Sequence, residues 1–195
     1  MAILHLRLTP VTRSKGCNAV EAAARYAAVA LKDRRSGNLY DFSSETDVAY
    51  REIVGPENSA LGDWWRDREV LWNAAETREV RADARVASEW QLGLPWELES
   101  AARIELALCW ARLLVERYGN AVDLSVHRPP LEGDPRNHYA KLLATTRQLT
   151  ATGFAEKVAI ERHLSGPQEL RCLHREWKRR IEAALALKVV PMTLP

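Results

Sequence analysis

Three places in the sequence hold side chains suited to chemistry. Tyr26 ends an alanine-rich run and offers a phenol, a possible nucleophile. His127 closes an apolar run before two prolines and offers an imidazole, a metal ligand or proton carrier. A second run reads His138-Tyr139-Ala140-Lys141. On a strand, positions i and i+2 share a face, so Tyr139 and Lys141 point one way and His138 the other. His138 joins His127 only through a bulge or a register slip. Asp123 and Glu89 lie near the same strands and read as surface carboxylates. His5 sits on the less apolar face of the first strand, and His163 and His174 fall in a polar stretch, so these three read as solvated. Trp64, Trp65 and Trp72 could stack bases, but their helical spacing reads as core.

The elements that must position these groups follow from periodicity. Ile3–Leu8 alternates as a half-buried strand, with Pro10 as its stop. Asn18 is an N-cap for an alanine-rich helix over Ala19–Leu31, and Arg34–Asn38 is a turn. Val48–Val54 is a second strand closed by Gly55-Pro56, and Leu61–Ala82 has helical spacing. Val86–Leu94 is a third strand, and Glu99–Tyr118 an amphipathic helix closed by Gly119. Val122–His127 and His138–Thr146, joined by a short turn, make an antiparallel hairpin. Residues 166–187 form a last helix, with Pro167 near its start. The expected architecture is α+β: an antiparallel sheet of about five strands covered by helices in one domain, residues 1–195. The His127 hairpin is placed centrally, with the Tyr26 helix crossing one end.

Composition bounds the function. The chain has 195 residues, 47% hydrophobic and 28% charged, which is globular rather than disordered. The net charge of +2 is unevenly laid out. Residues 45–105 carry seven surplus acidic groups, residues 1–44 four surplus basic groups and residues 106–195 five. Two basic ends suit an anionic partner. No apolar run is long enough to span a membrane, and the start lacks a signal peptide's basic head and long apolar stretch. Cys17, Cys109 and Cys172 are odd in number with no CxxC, which argues against a disulfide framework or zinc site and fits a reducing cytoplasm.

A family resemblance runs through nearly the whole chain in order. It is carried by MAILHL, TRSKG, NAVEAAARY, DRRSGNLYDF, EIVGPE, LWNAAE, ARVASEWQLGLPWEL, ERYGNAVDLSVHRPP, GDPRNHYAKLLATTR, FAEK and SGPQEL. These segments resemble the relaxase domain of MobA/MobL plasmid mobilisation proteins, of the HUH endonuclease class. The resemblance implies an HUH relaxase-like fold. It also implies binding of single-stranded or hairpin DNA at a plasmid transfer origin, with relaxosome accessory proteins as possible partners. A tyrosine on the first helix would attack a phosphodiester, and three histidines would hold Mg²⁺ or Mn²⁺ to polarise it.

Position by position, His127 matches the first family histidine. The family's N-H-H-A-H-L-L reads Asn137-His138-Tyr139-Ala140-Lys141-Leu142-Leu143 here, so Tyr139 and Lys141 stand at the other two ligand positions. A protonated Lys repels a cation. The family's Tyr-Arg order at the end of the first helix is inverted to Arg25-Tyr26, which moves the candidate nucleophile by about 100° around a helix. Metal-dependent nicking is therefore expected to be impaired. In a second version of the enzyme, Lys141 replaces the metal as a fixed charge and Tyr26 still attacks. The alternative is a non-catalytic DNA- or protein-binding pseudo-relaxase module. Candidate phosphate contacts are Arg13, Arg25, Arg128, Arg136 and Arg147, with Lys15, Arg34, Arg35 and Lys141 behind them.

Overall fold

A computed structural model describes residues 5–158 and 166–189. Five strands form one antiparallel sheet in the order β1 (Leu6–Thr12), β5 (Arg85–Leu94), β7 (His138–Thr145), β6 (Val122–His127) and β4 (Val48–Val54). Two short hairpins lie outside it: β2 (Ala30–Lys32) with β3 (Leu39–Asp41), and β8 (Arg147–Thr150) with β9 (Gly153–Lys157). The helices are α1 (Ala19–Ala27), α2 (Arg68–Arg78), α3 (Ser100–Tyr118) and α4 (Gly166–Val189). The expected α+β sheet is present, with the His127 hairpin at its centre. Among the described residues no helix is long and apolar enough to cross a membrane.

Strand alternation splits the sheet into two unlike faces. Trp90, Leu92 and Leu94 of β5, Val122, Leu124 and Val126 of β6, and Ala140, Leu142 and Ala144 of β7 pack under α3 and α4. Edge-on contacts Trp90–Trp110 and Trp110–Trp177, at 6.5 and 5.3 Å between ring centroids, tie β5 to α3 and α3 to α4. The intervening residues face α1 and α2. Away from the His127 end they include the apolar Ala87 and Leu143, part of the second core cluster. Toward the His127 end they become polar.

Several boundaries depart from the expected ones, each for a physical reason. Pro10 does not stop β1; the strand runs through it to Thr12, because an edge strand tolerates a residue without an N–H. The first helix ends at Ala27 rather than Leu31. Ala28 turns left-handed at φ 50°, Val29 donates back to the Ala24 carbonyl at 3.0 Å, and Leu31 buries its side chain from β2. Leu61–Ala82 is not one helix. Two 3₁₀ turns, Ser59–Leu61 and Trp64–Arg66, precede α2, which starts where Asp67 caps the Val70 N–H at 3.0 Å. The β8–β9 hairpin was not expected. Ile3 and Leu4 of the expected first strand, and His163, lie outside the described residues.

Asp123 is not a surface carboxylate. It is 3% exposed and accepts from Arg68 through Nε and a terminal nitrogen, at 2.7 and 2.8 Å, and from Trp72 Nε1 at 2.9 Å. This locks α2 onto β6. Replacing one partner of such a pair leaves the other charge buried. Asp123→Ala is expected to destabilise the fold by about 3 kcal/mol in chemical denaturation, and a loss under about 1 kcal/mol would show that the pair does not hold α2.

Candidate functional site

The polar end of the sheet is built in cross-strand rows. His127 pairs with Tyr139, Ser125 with Lys141, and Asp123 with Leu143, while Gln91 and Gly93 of β5 lie across from Lys141 and Tyr139. Register in β7 is unbroken on both sides. His138 therefore stays on the opposite face, where burial and Arg103 lower its pKa, and no bulge brings it to His127.

α1 delivers Tyr26 to these rows. Asn18 caps the helix through the N–H groups of Val20 and Glu21 at 2.7 and 3.1 Å, and Ala19 N–H donates to the buried Glu76 carboxylate at 2.7 Å. Alanines 19, 23, 24 and 27 let the helix lie close on the sheet. At its other end, Arg51 donates to the Ala27 and Ala28 carbonyls at 2.6 and 3.2 Å. With the helix so seated, Arg25 points out, pairing with Glu21 at 2.7 Å and stacking over Phe42. Tyr26 points in, and its hydroxyl donates to Glu89 at 2.5 Å.

Glu89 is the junction. It accepts from Tyr26 and also from Lys141, whose ammonium lies 5.1 Å from the Tyr26 ring centroid. Glu89 and Lys141 expose only 16% and 19% of their side chains, so their charges are opposed within a largely dry pair. Glu89 is thus a site residue and not the surface carboxylate expected. Burial, reinforced by the hydrogen bond to Glu89, raises the Tyr26 phenol above its ordinary value.

His127 lies in the next row. Its Nδ1 is 2.8 Å from an Asp47 carboxylate oxygen, its ring stacks on Tyr139 with centroids 4.8 Å apart and planes within 4°, and its Nε2 is buried without a hydrogen-bond partner. Burial lowers the His127 pKa, opposed in part by Asp47. Across from Lys141, Ser125 Oγ is also buried and unpartnered.

A divalent cation can be tested against this donor set. His127 fits: one nitrogen is oriented by a carboxylate and the other is left open. Tyr139 does not, because burial raises its phenol pKa, and Lys141 presents an ammonium ion. Among the described residues no three His, Cys, Asp or Glu side chains cluster to hold a metal. The residues present do not fit the three-histidine metal site that the resemblance implied.

The expected phosphate contacts divide. Arg13 donates to the Glu76 carboxylate at 2.7 Å and to the Glu76 and Glu79 carbonyls. Arg147 donates to Glu79 at 2.6 Å and to the Ala155 carbonyl at 3.1 Å. Both are internal struts, not open phosphate contacts, because buried carboxylates on and just after α2 claim them. Arg136 is exposed and closes its own turn on Asp134 at 2.7 Å. Arg128 is exposed beside the site, donating to the Thr46 carbonyl at 3.0 Å. Arg34 and Arg35 lie near Glu69 and Glu76 at 3.5 and 3.8 Å, and Lys15 is exposed. Trp65 and Trp72 are core, as their spacing indicated, and Trp64 packs edge-on to Phe154. Asp47 and Ser125 were missed. Cross-strand register could have found Ser125, but no local pattern announces Asp47, 80 residues from its partner.

Three comparisons bear on this arrangement. The MobA/MobL family model matches residues 17–189. The mobilization protein MobL of Acidithiobacillus ferridurans is 38% identical over 129 residues, covering 66% of this chain and 33% of that protein. The chain spans 15% to 33% of the length of the curated relatives it matches. A structure from work on the molecular basis of vancomycin resistance transfer in Staphylococcus aureus superposes with a TM-score of 0.84 at 28% identity, covering 98% of this chain and 96% of that one. The conjugative relaxase TrwC, solved with a 27-mer DNA comprising its recognition hairpin and cleavage site, shares the fold at a TM-score of 0.59 and 11% identity, covering 98% and 72%. TrwC has also been solved in a metal-bound complex with oriT DNA.

The His127 shift carries a prediction. Unfolded, His127 titrates near 6.5; folded, it titrates lower. The unfolded chain therefore binds more protons between the two values, and stability falls as pH drops from about 6.5 through the folded pKa. The loss in denaturation midpoint between pH 7.5 and pH 5 is expected to shrink in His127→Gln, and an unchanged loss would contradict the burial of a neutral imidazole.

Proposed function

The chain belongs to the MobA/MobL family, and from that premise we propose that it binds single-stranded or hairpin DNA of transfer-origin type without nicking it by the metal-dependent tyrosine reaction. The observation that carries this reading is the exchange at the paired ligand positions, where a stacked phenol and an ion-paired ammonium stand on the face of the sheet that holds His127. The DNA-binding half is supported by the family and by TrwC, solved on its recognition hairpin. Of the five first-rank candidates, the exposed Arg25, Arg128 and Arg136 remain to meet phosphate, with the exposed Lys15, Arg34 and Arg35 behind them. Arg13 and Arg147 hold the scaffold instead.

The lost-nicking half rests on two features of the same rows. Tyr26 reaches the site despite the inverted Arg25-Tyr26 order, but its proton is held by burial and by Glu89. The carboxylate that would take that proton already accepts from Lys141. The site's carboxylates are engaged, Asp47 by His127 and Glu89 by Tyr26 and Lys141, and no three His, Cys, Asp or Glu side chains cluster among the described residues, which speaks against a seat for Mg²⁺ or Mn²⁺. One observation favours the competing enzyme reading. The Lys141 ammonium lies over the Tyr26 ring at 5.1 Å, so a fixed positive charge stands beside the phenol that would attack.

The test uses a labelled single-stranded hairpin oligonucleotide from the DNA flanking this chain's gene, incubated with Mn²⁺ and run on native and denaturing gels. A salt-sensitive native shift with no covalent adduct is expected. An adduct that disappears in Tyr26→Phe would overturn the lost-nicking reading. Absence of any shift would overturn the DNA-binding reading.

A further inference from the structure

Lys141 does more than occupy a vacated ligand position. We infer that its ammonium group is the resident cation of the site and binds a DNA phosphodiester there, with the Ser125 hydroxyl as a neighbouring donor, so that DNA binding needs no divalent metal. This inference rests on the DNA-binding reading above and names the group that holds the phosphate.

Four observations carry it. Lys141 sits in the central strand of the sheet, flanked by β5 and β6, so its backbone is held on both sides. Its side chain is constrained at a fixed place by Glu89 and by the Tyr26 ring. An ammonium group has three donors, and Glu89 takes one, which leaves donors for phosphate oxygens. Directly across from it, Ser125 carries a buried hydroxyl with no protein partner, a donor free for an oxygen placed between the two.

Charge makes the arrangement necessary. Glu45, Asp47 and Glu89 face this end of the sheet through their interactions with His127, Tyr139 and Tyr26. His127 is held toward its neutral form. Arg51, on β4, is held by the end of α1, and Arg128 beside the site by the Thr46 carbonyl. Without Lys141, a phosphodiester arriving at these rows would meet the three carboxylates opposed only by these two more distant guanidinium groups. Glu89 then acts as a brake, because part of the Lys141 charge is neutralised before DNA arrives. Removing the carboxylate while keeping its hydrogen-bonding shape should strengthen binding, and should do so through Lys141.

Fluorescence anisotropy with a labelled single-stranded hairpin oligonucleotide, at several salt concentrations, tests this. Wild-type affinity is expected to be the same in EDTA and in Mn²⁺. Lys141→Gln should weaken binding by about tenfold and flatten the salt dependence by about one phosphate contact. Lys141→Arg should keep the salt slope. Glu89→Gln should tighten binding, and most of that gain should vanish in the Glu89→Gln/Lys141→Gln pair, whose neutral amides keep the fold from burying a lone charge. If wild type binds but Lys141→Gln and the neutral pair match it in affinity and slope, the inference is overturned while the DNA-binding reading stands. Binding that requires Mn²⁺ would also overturn it. If wild type binds no oligonucleotide at any salt, the reading beneath it fails, and the inference with it.

Discussion

Glu76 is 1% exposed, and one carboxylate in that position must be fully satisfied or it would not stay folded. It accepts from Arg13 at 2.7 and 3.0 Å and from the first N–H of α1 at 2.7 Å. That triple engagement fixes the end of β1, the start of α1 and the last turn of α2 to one another. It also sets the rotation of α1, because the helix begins at a point it cannot leave. Arg68 on Asp123 and Arg147 on Glu79 repeat the device at the two ends of α2. Three arginines are thus committed to the scaffold, and the helix layer that carries Tyr26 cannot slide over the sheet.

From that seat the rest of the site follows by alternation. Tyr26 falls over β5 and β7, where Glu89 and Lys141 occupy neighbouring rows on the same face. His127 and Tyr139, one row away, stack as cross-strand partners. Even-numbered neighbours on β7 go to the other core, which is why His138 cannot rescue the imidazole count. Tyr139 and Lys141, on one strand face, therefore set the electrostatics of the whole site, with an ammonium ion balanced by a carboxylate.

The large elements were legible because they obey period rules. Sequence pattern placed the central strands at 86–94, 122–127 and 138–146, within a residue of where they lie, and the capping residues Asn18 and Gly119 marked the start of one helix and the end of another. The misreadings cluster where tertiary demand overrides local preference. Ala-rich sequence after Ala27 favours helix, yet burying Leu31 against α1 and α2 turns the chain into β2. Gly62, at φ 62°, interrupts a helical pattern that the tryptophans otherwise support. At the site, residue types could say that Tyr139 and Lys141 share a face, but not that Glu89 links Lys141 to Tyr26. Long side chains meeting across 52 and 63 residues leave no local signature. The same blindness made Arg13 and Arg147 look like phosphate contacts, since burial of their carboxylate partners is a property of the packed chain.

The central claim is that Tyr139 and Lys141 have closed this family's metal site. Calorimetric titration of Mn²⁺ into the wild-type chain and into Tyr139→His/Lys141→His tests it most directly. The account predicts no saturable binding by wild type and one site in the double variant that is lost when His127→Ala is added. Stoichiometric binding by wild type, abolished by His127→Ala, would contradict it.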